Sequence, residues 1–356
     1  MVTPTPPLLR PLSLGELLDR AIRLYRHNWL NFVGIIAIVQ IPLTLLSLLV
    51  SIGFFGQAAV ALQSPSPDPA AVLNVNYFIG TGATLLLSIA NFVLVQGVAT
   101  AALTRSVADH YLGQPISFID AYFKIGNTWK RLIGAILLAL LITIGLGIWT
   151  IIPCVGWLTG IGLLLFFSAI VVPMISPIII LEKRQVGQAI LRAWDLARRR
   201  FWWVVGFFAA LILFAQVVVT GPNYLLNLAL NYAIQSITPK ATPYMTFALK
   251  TIGQSTVSLI FNLLYMPLQL TCLTLMYFDL RVRTEGFDMA LLASSTADEH
   301  ADLDAIAAQA PLQNTLPFLS WTDAGQFMLL TIAFVVIWAM LFFILGALGI
   351  STGNLL

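Results

Sequence analysis

Seven long apolar runs divide the chain, at about residues 30–55, 79–104, 132–154, 157–181, 202–220, 255–278 and 326–350. Each is long enough to cross a hydrocarbon core of roughly 30 Å as a helix rising 1.5 Å per residue. The first run begins only near Leu30, behind an arginine-bearing stretch. Its roughly 25 residues exceed the 7–15 apolar residues of a cleavable signal, so the pattern predicts a retained first span.

Ahead of three of the runs the apolar period becomes helical. In residues 16–34, ELLDRAIRLYRHNWLNFVG, the side chains of Leu17, Leu18, Ala21, Leu24 and Tyr25, with Leu14 before them, share one helix face. Glu16, Asp19, Arg20, Arg23 and Arg26 lie largely off it. Ser13 and Glu16 have the spacing of a capping box. A basic, aromatic-edged helix of this kind suits the headgroup layer. Residues 188–206, QAILRAWDLARRRFWWVVG, align with the first segment without gaps, pairing Arg20 with Arg192, Ala21 with Ala193, Leu24 with Leu196, Arg26 with Arg198 and Gly34 with Gly206. A weaker third copy places Trp129 and Gly134 at the spacing of Trp29 and Gly34, with Ser117-Phe-Ile-Asp-Ala-Tyr-Phe-Lys upstream. The expected architecture is an all-α polytopic membrane protein with three repeats of interfacial helix plus two-span hairpin, then a seventh transmembrane helix. Its parts are a tail (1–12), a six-span domain (13–283, units about 13–105, 106–182 and 183–283), a linker (284–324) and the seventh span with its tail (325–356). The linker carries Asp298, Glu299, Asp302 and Asp304, and its Ala-Ser-Ser-Thr-Ala-Asp-Glu stretch reads as a short surface helix.

Charge orients these spans. Of eighteen Lys and Arg residues, all but Lys240 and Lys250 fall on one set of alternate connections. The positive-inside rule then places the N-terminus in the cytoplasm, and seven spans put the C-terminus outside. Composition supports the class: 59% of residues are hydrophobic and 9% charged, with a mean hydropathy of +0.91. Soluble domains carry roughly 25% charged residues, so most of this surface must face lipid.

Candidate chemistry is sparse. The span interiors offer neutral polar groups, Gln40, Asn91, Gln96, Ser168, Gln216, Asn262 and Gln269, whose default role is bonding between helices. Of these, Asn91, Ser168, Gln216 and Asn262 are the candidate lining of a cavity between repeats. Pro42, Pro173, Pro177 and Pro267 are expected to kink spans one, four and six. His27, His110 and His300 lack metal-ligand spacing, and Cys154 and Cys272 are expected to remain free thiols. No catalytic residue, cofactor site, metal site or nucleic-acid-binding pattern is expected. Arg192, Arg198, Arg199 and Arg200, beside Phe201-Trp202-Trp203, are candidate contacts to anionic lipid headgroups.

Three stretches carry a family resemblance: Leu12-Ser-Leu-Gly-Glu-Leu-Leu-Asp-Arg-Ala; Pro177-Ile-Ile-Ile-Leu-Glu182 with Ala189-Ile-Leu-Arg192-Ala-Trp194-Asp-Leu196; and Tyr277-Phe-Asp279-Leu-Arg281-Val-Arg283-Thr-Glu285-Gly286-Phe-Asp288. Over residues 10–292 the chain resembles the bacterial membrane domain found fused to glycerophosphoryl diester phosphodiesterases or free-standing, with Ala193 where that family more often has Ser. The resemblance implies a six-span domain in a bacterial plasma membrane, without the phosphodiesterase barrel that would carry the named chemistry. Glu182 with Arg192, and Asp279 with Arg281 and Arg283, look like ion pairs at cytoplasmic helix ends. The expected function is that of a non-enzymatic membrane protein organising lipids or partner proteins. The alternatives are a transporter or lipid translocator, and an accessory subunit docking a partner membrane protein through residues 284–356.

Overall fold

Helix boundaries follow from local chemistry at several points along the chain. The computed structural model describes residues 11–62, 69–111, 117–238, 240–289 and 320–347. Helix α1 (Leu14–Leu62) starts at the reciprocal box in which Ser13 N–H donates to Glu16 and Glu16 N–H donates to the Ser13 hydroxyl. Its one non-helical residue is Asn28, at φ −123°, ψ 21°. Helix α2 is Val75–His110, capped by Asn74, and the short α3 is Phe118–Ile125, capped by Ser117. Helix α4 (Trp129–Trp149) turns into α5 (Gly156–Glu182). Lys183, in the left-handed conformation at φ 53°, ends α5 and turns the chain into α6 (Val186–Arg199). Arg200, at φ −128°, ψ 45°, separates α6 from α7 (Phe201–Ile237). Helix α8 is Pro243–Glu285, capped by Thr242, and α9 is Trp321–Ala347. No strand occurs among the described residues. Among the described residues, seven helices are long and apolar enough to cross a membrane: α1, α2, α4, α5, α7, α8 and α9.

Prolines shape the long helices. Pro42, Pro177 and Pro267 lie inside α1, α5 and α8. Wide π-type turns at Phe166–Val171 and Gln216–Thr220 precede Pro173 and Pro222. Proline offers no N–H to the preceding turn, and a widened turn absorbs that loss.

Helices α1 and α8 run antiparallel along their lengths. Tyr244 hydroxyl reaches the Ile52 carbonyl (3.5 Å), Tyr25 hydroxyl the Leu264 carbonyl (2.9 Å), and Leu12 N–H the Asp279 carboxylate (2.7 Å). The start of α1 therefore stands against the last third of α8. Leu17 and Ala21 are fully buried, with Leu14, Leu18, Leu24 and Tyr25 packed against the same core. This apolar face, expected to rest in the headgroup layer, is covered by the protein itself.

The core is concentrated at one end. Every residue from Val172 to Glu182 is buried, as are most of those from Leu270 to Val282. By contrast, Gly221–Ile237 contains no buried residue. The basic ends of α1, α2, α5 and α8 meet here with α3 and α6, so this is called the basic end below. Helices α7 and α8 also extend beyond their apolar runs, replacing the expected loop over 221–254. Asn223, Asn227 and Asn231 recur at helical spacing, with Asn227 donating to Asn223 (2.6 Å). Gly253 lets Leu230 of α7 approach α8 closely.

Helix α9 docks on α5. Phe327 packs in an aromatic cluster with Phe166 (5.5 Å), Trp194 (5.6 Å) and Phe201 (5.6 Å). The Thr331 hydroxyl accepts from Gly162 N–H (2.8 Å), and a Cβ at Gly162 would collide with the Phe327 carbonyl. Asp323 pairs with Arg198 at 2.9 Å. The acidic residues Asp298, Glu299, Asp302 and Asp304, and the surface helix expected beside them, lie outside the described residues.

Candidate functional site

Three groups of polar side chains are built into the fold. The first is a buried ionic cluster at the basic end. Glu182, at the last residue of α5, accepts from Arg192 Nε at both oxygens (3.2 and 3.1 Å) and from the Tyr277 hydroxyl (2.8 Å). Arg192 also pairs with Glu285, and Glu285 with Arg281 Nε (3.1 Å). Two carboxylates thus face two buried guanidiniums, joined by one phenol, and the more exposed Arg184 reaches Glu182 at 3.6 Å. The side chains of Glu182, Arg192, Arg281 and Glu285 are each at most 4% exposed. Burial alone would lower the Arg192 pKa. The hydrogen bond to Glu285 and the charges of Glu182 and Glu285 outweigh it and raise the value, so this guanidinium stays charged. Arg281 lies over the Phe287 ring at 4.3 Å.

A satellite pair fastens the chain's beginning to α8. Asp279 accepts from Arg283 Nε (2.6 Å) and from Leu12 N–H, while Arg283 donates to the Leu12 carbonyl. Arg281, expected to pair with Asp279, instead pairs with Glu285 and approaches Glu182 at 3.9 Å. The reason is angular. On a helix, residues four apart share a face, so Arg281 meets Glu285 and Arg283 meets Asp279. Tyr277 and Glu285 are further members of the cluster; each lies four residues from Arg281 on one helix face, and that spacing was the available signal.

The expected headgroup contacts divide differently. Arg192 is buried in the cluster, and Arg198 is buried between Asp195 and Asp323. Arg199 pairs with Asp195 at 3.0 Å. Only Arg200 of the four is exposed. Arg192 lies on the face of α6 that carries Ala189, Ala193 and Leu196, while Arg198, on another side of the helix, turns toward Asp323 of α9. Burial leaves Arg200 and the half-buried Arg199 as the members of this set open to a headgroup.

The second group is a basic pocket of about 360 Å³. It lies where α2, α3, the start of α4 and the end of α5 converge. Arg105, Lys124, Lys130, Arg131 and Lys183 line it, with the Thr128 side chain and Ile180. Asp109, buried, balances part of this charge by pairing with Lys124 (2.8 Å) and Arg105 (3.2 Å). Lys130 lies over the Trp129 ring at 5.7 Å.

The third is a cleft of about 430 Å³ between α1 and α2, near Met266 of α8. Of the four residues expected to line a cavity, it contains Asn91 alone. Ser168 bonds to its own helix at the Leu164 carbonyl (2.6 Å). Gln216 and Asn262 are exposed on the outward faces of α7 and α8. Helix rotation about the bundle, which single-helix patterns do not fix, separates them. Among the described residues no group of three or more His, Cys, Asp and Glu side chains is placed to hold a metal ion. Cys154 is exposed and Cys272 buried, neither in a disulfide.

Comparison of the chain with protein-family models, curated proteins and solved structures gives no match in any of the three.

Proposed function

We propose that this is a non-enzymatic membrane protein that binds and organises anionic lipid headgroups at its basic end, oriented with that end in the cytoplasm of a bacterial plasma membrane. The observation that carries the reading is the basic pocket: five cationic side chains around a space of about 360 Å³, with the Asp109 carboxylate paired to two of them. A phosphodiester group there gains roughly 1 kcal/mol per nearby basic residue. The buried acids serve a different purpose, each being held by arginine.

Two features support a threefold repeat. Asn28 and Arg200, equivalent in the gap-free alignment, both break their helix with similar dihedral angles. Ala21, Ala121 and Ala193, equivalent in the three copies, are all fully buried. The resemblance to the phosphodiesterase-linked membrane domain gains a physical rationale from the ionic cluster, because the central and C-terminal motif stretches meet there through Glu182, Arg192, Tyr277, Arg281 and Glu285.

The test is competitive lipid binding by the full chain in nanodiscs, read by native mass spectrometry. Phosphatidylglycerol should be retained over phosphatidylcholine. The double variant Lys130→Ala, Arg131→Ala should lose about 2 kcal/mol, roughly thirtyfold in affinity. Equal retention of the two lipids, or a double variant that keeps full preference, sinks the reading.

A further inference from the structure

We infer that the cleft between α1 and α2 is a binding site for an uncharged, hydroxyl-bearing group, a site distinct from the basic pocket and independent of it. Two helix faces make it. On α1, Gln40, Thr44 and Ser47 fall at i, i+4 and i+7, and on α2, Thr84, Ser88 and Asn91 repeat that spacing. Such spacing aligns each set on one side of its helix. The two sets face one another, with Gln96 closing the row toward the basic end. Both stretches lie inside apolar runs, where polar faces of this length are not needed for solubility.

Among the described residues no charged side chain lines the cleft. A net charge placed there would be desolvated without a counter-ion, which excludes ionic ligands. The groups on offer ask for a donor. The Ser47 hydroxyl gives its proton to the Thr44 carbonyl (2.8 Å), and the Ser88 hydroxyl gives its own to the Thr84 carbonyl (2.8 Å). Each therefore presents only lone pairs. The side-chain oxygens of Gln40 and Gln96 are buried with no hydrogen-bond partner, and Gln40 is only 9% exposed. An unmade bond of this kind is costly, and an occupant toward which either amide turns completes it. A hydroxyl both donates and accepts, and it satisfies a side-chain amide in either orientation.

The size is that of a small-ligand site, at the lower end of the roughly 300–1,000 Å³ range. Phe92 and Met266 give it apolar walls. The matching chemistry is a glycerol- or sugar-like group, carried on a neutral lipid or free in solution.

The experiment measures saturable binding to the full chain in nanodiscs, with four probes in two arms. Dioleoylglycerol and a monoglucosyl diacylglycerol form the lipid arm; free glycerol and free glucose form the solute arm. Saturable binding in either arm, weakened at least tenfold by Gln40→Leu and by Asn91→Leu, supports the site, and the arm that responds identifies the source. An unchanged thermal midpoint in detergent shows that both variants are folded, so this result stands apart from the outcome at the basic pocket. No saturable binding of any probe, or binding that both leucine variants leave unchanged, overturns the inference and leaves the cleft to water.

Discussion

At the scale of single residues, burial decides which charges matter. Glu182 faces the guanidiniums of Arg184, Arg192 and Arg281 from a position with no exposed side-chain surface, and its loss leaves positive charge uncompensated in the core. Breaking one partner of such a cluster is expected to cost about 3–5 kcal/mol. Glu182→Gln keeps the shape and the acceptor for Tyr277, so the loss it produces is that of charge. The double variant Glu182→Gln, Arg192→Gln should recover part of the loss, because it removes one charge of each sign. Asp19 and Arg23 form an ion pair of good geometry (2.8 Å), but their side chains are 62% and 71% exposed. Screening by water limits that pair to at most about 0.5 kcal/mol, so Asp19→Asn should leave the thermal midpoint in detergent almost unchanged. Equal effects of Glu182→Gln and Asp19→Asn in that measurement would remove the special role of the cluster.

At the scale of elements, the attachment of α9 depends on one missing side chain. Gly162 allows the α9 backbone to approach until Phe327 sits among Phe166, Trp194 and Phe201 and Thr331 accepts from the α5 backbone. Gly162→Leu forces the helices apart and breaks that bond along with the aromatic packing. With a protease site placed between residues 290 and 319, cleavage of the unaltered protein should leave α9 co-eluting with the remaining helices. Cleaved Gly162→Leu should lose it, and continued co-elution would show that Asp323 with Arg198 suffices. The existence of this helix was legible in its apolar run; its docking face was not, because a glycine in a membrane helix has many uses and its partner lies 169 positions away. Hydropathy also left open what surrounds α8. The run at 255–278 reads as one span, yet its later residues stand beside Leu12–Tyr25 and are apolar because protein covers them. An apolar run records absence of water, and lipid and protein core produce the same record. The paired charges were legible in part: helical spacing links Arg283 to Asp279, while the union of α5, α6 and α8 ends needs the tertiary fold.

At the scale of the molecule, burial and charge coincide at one end while the other is open. The basic end joins α1, α2, α3, α5, α6 and α8 in a core like that of a water-soluble protein, whereas α7 runs on through Gly221–Ile237 with no buried residue. A rigid basic end and loosely packed opposite ends fit a protein anchored by its charged side, and this asymmetry makes orientation testable with the native thiols. Cys154 lies in the exposed turn between α4 and α5, at the ends of these helices remote from Lys130 and Glu182, and Cys272 is buried in α8 beside the basic end. Burial also shields the Cys272 thiol from a water-soluble reagent. With the basic end in the cytoplasm, a membrane-impermeant maleimide added to intact cells should label one site per chain, and Cys154→Ser should abolish that signal. Cys272→Ser should leave it unchanged. Labelling of Cys154 that appears only after the membrane is permeabilised would invert the orientation, and would place the five cationic side chains of the basic pocket on the outer leaflet.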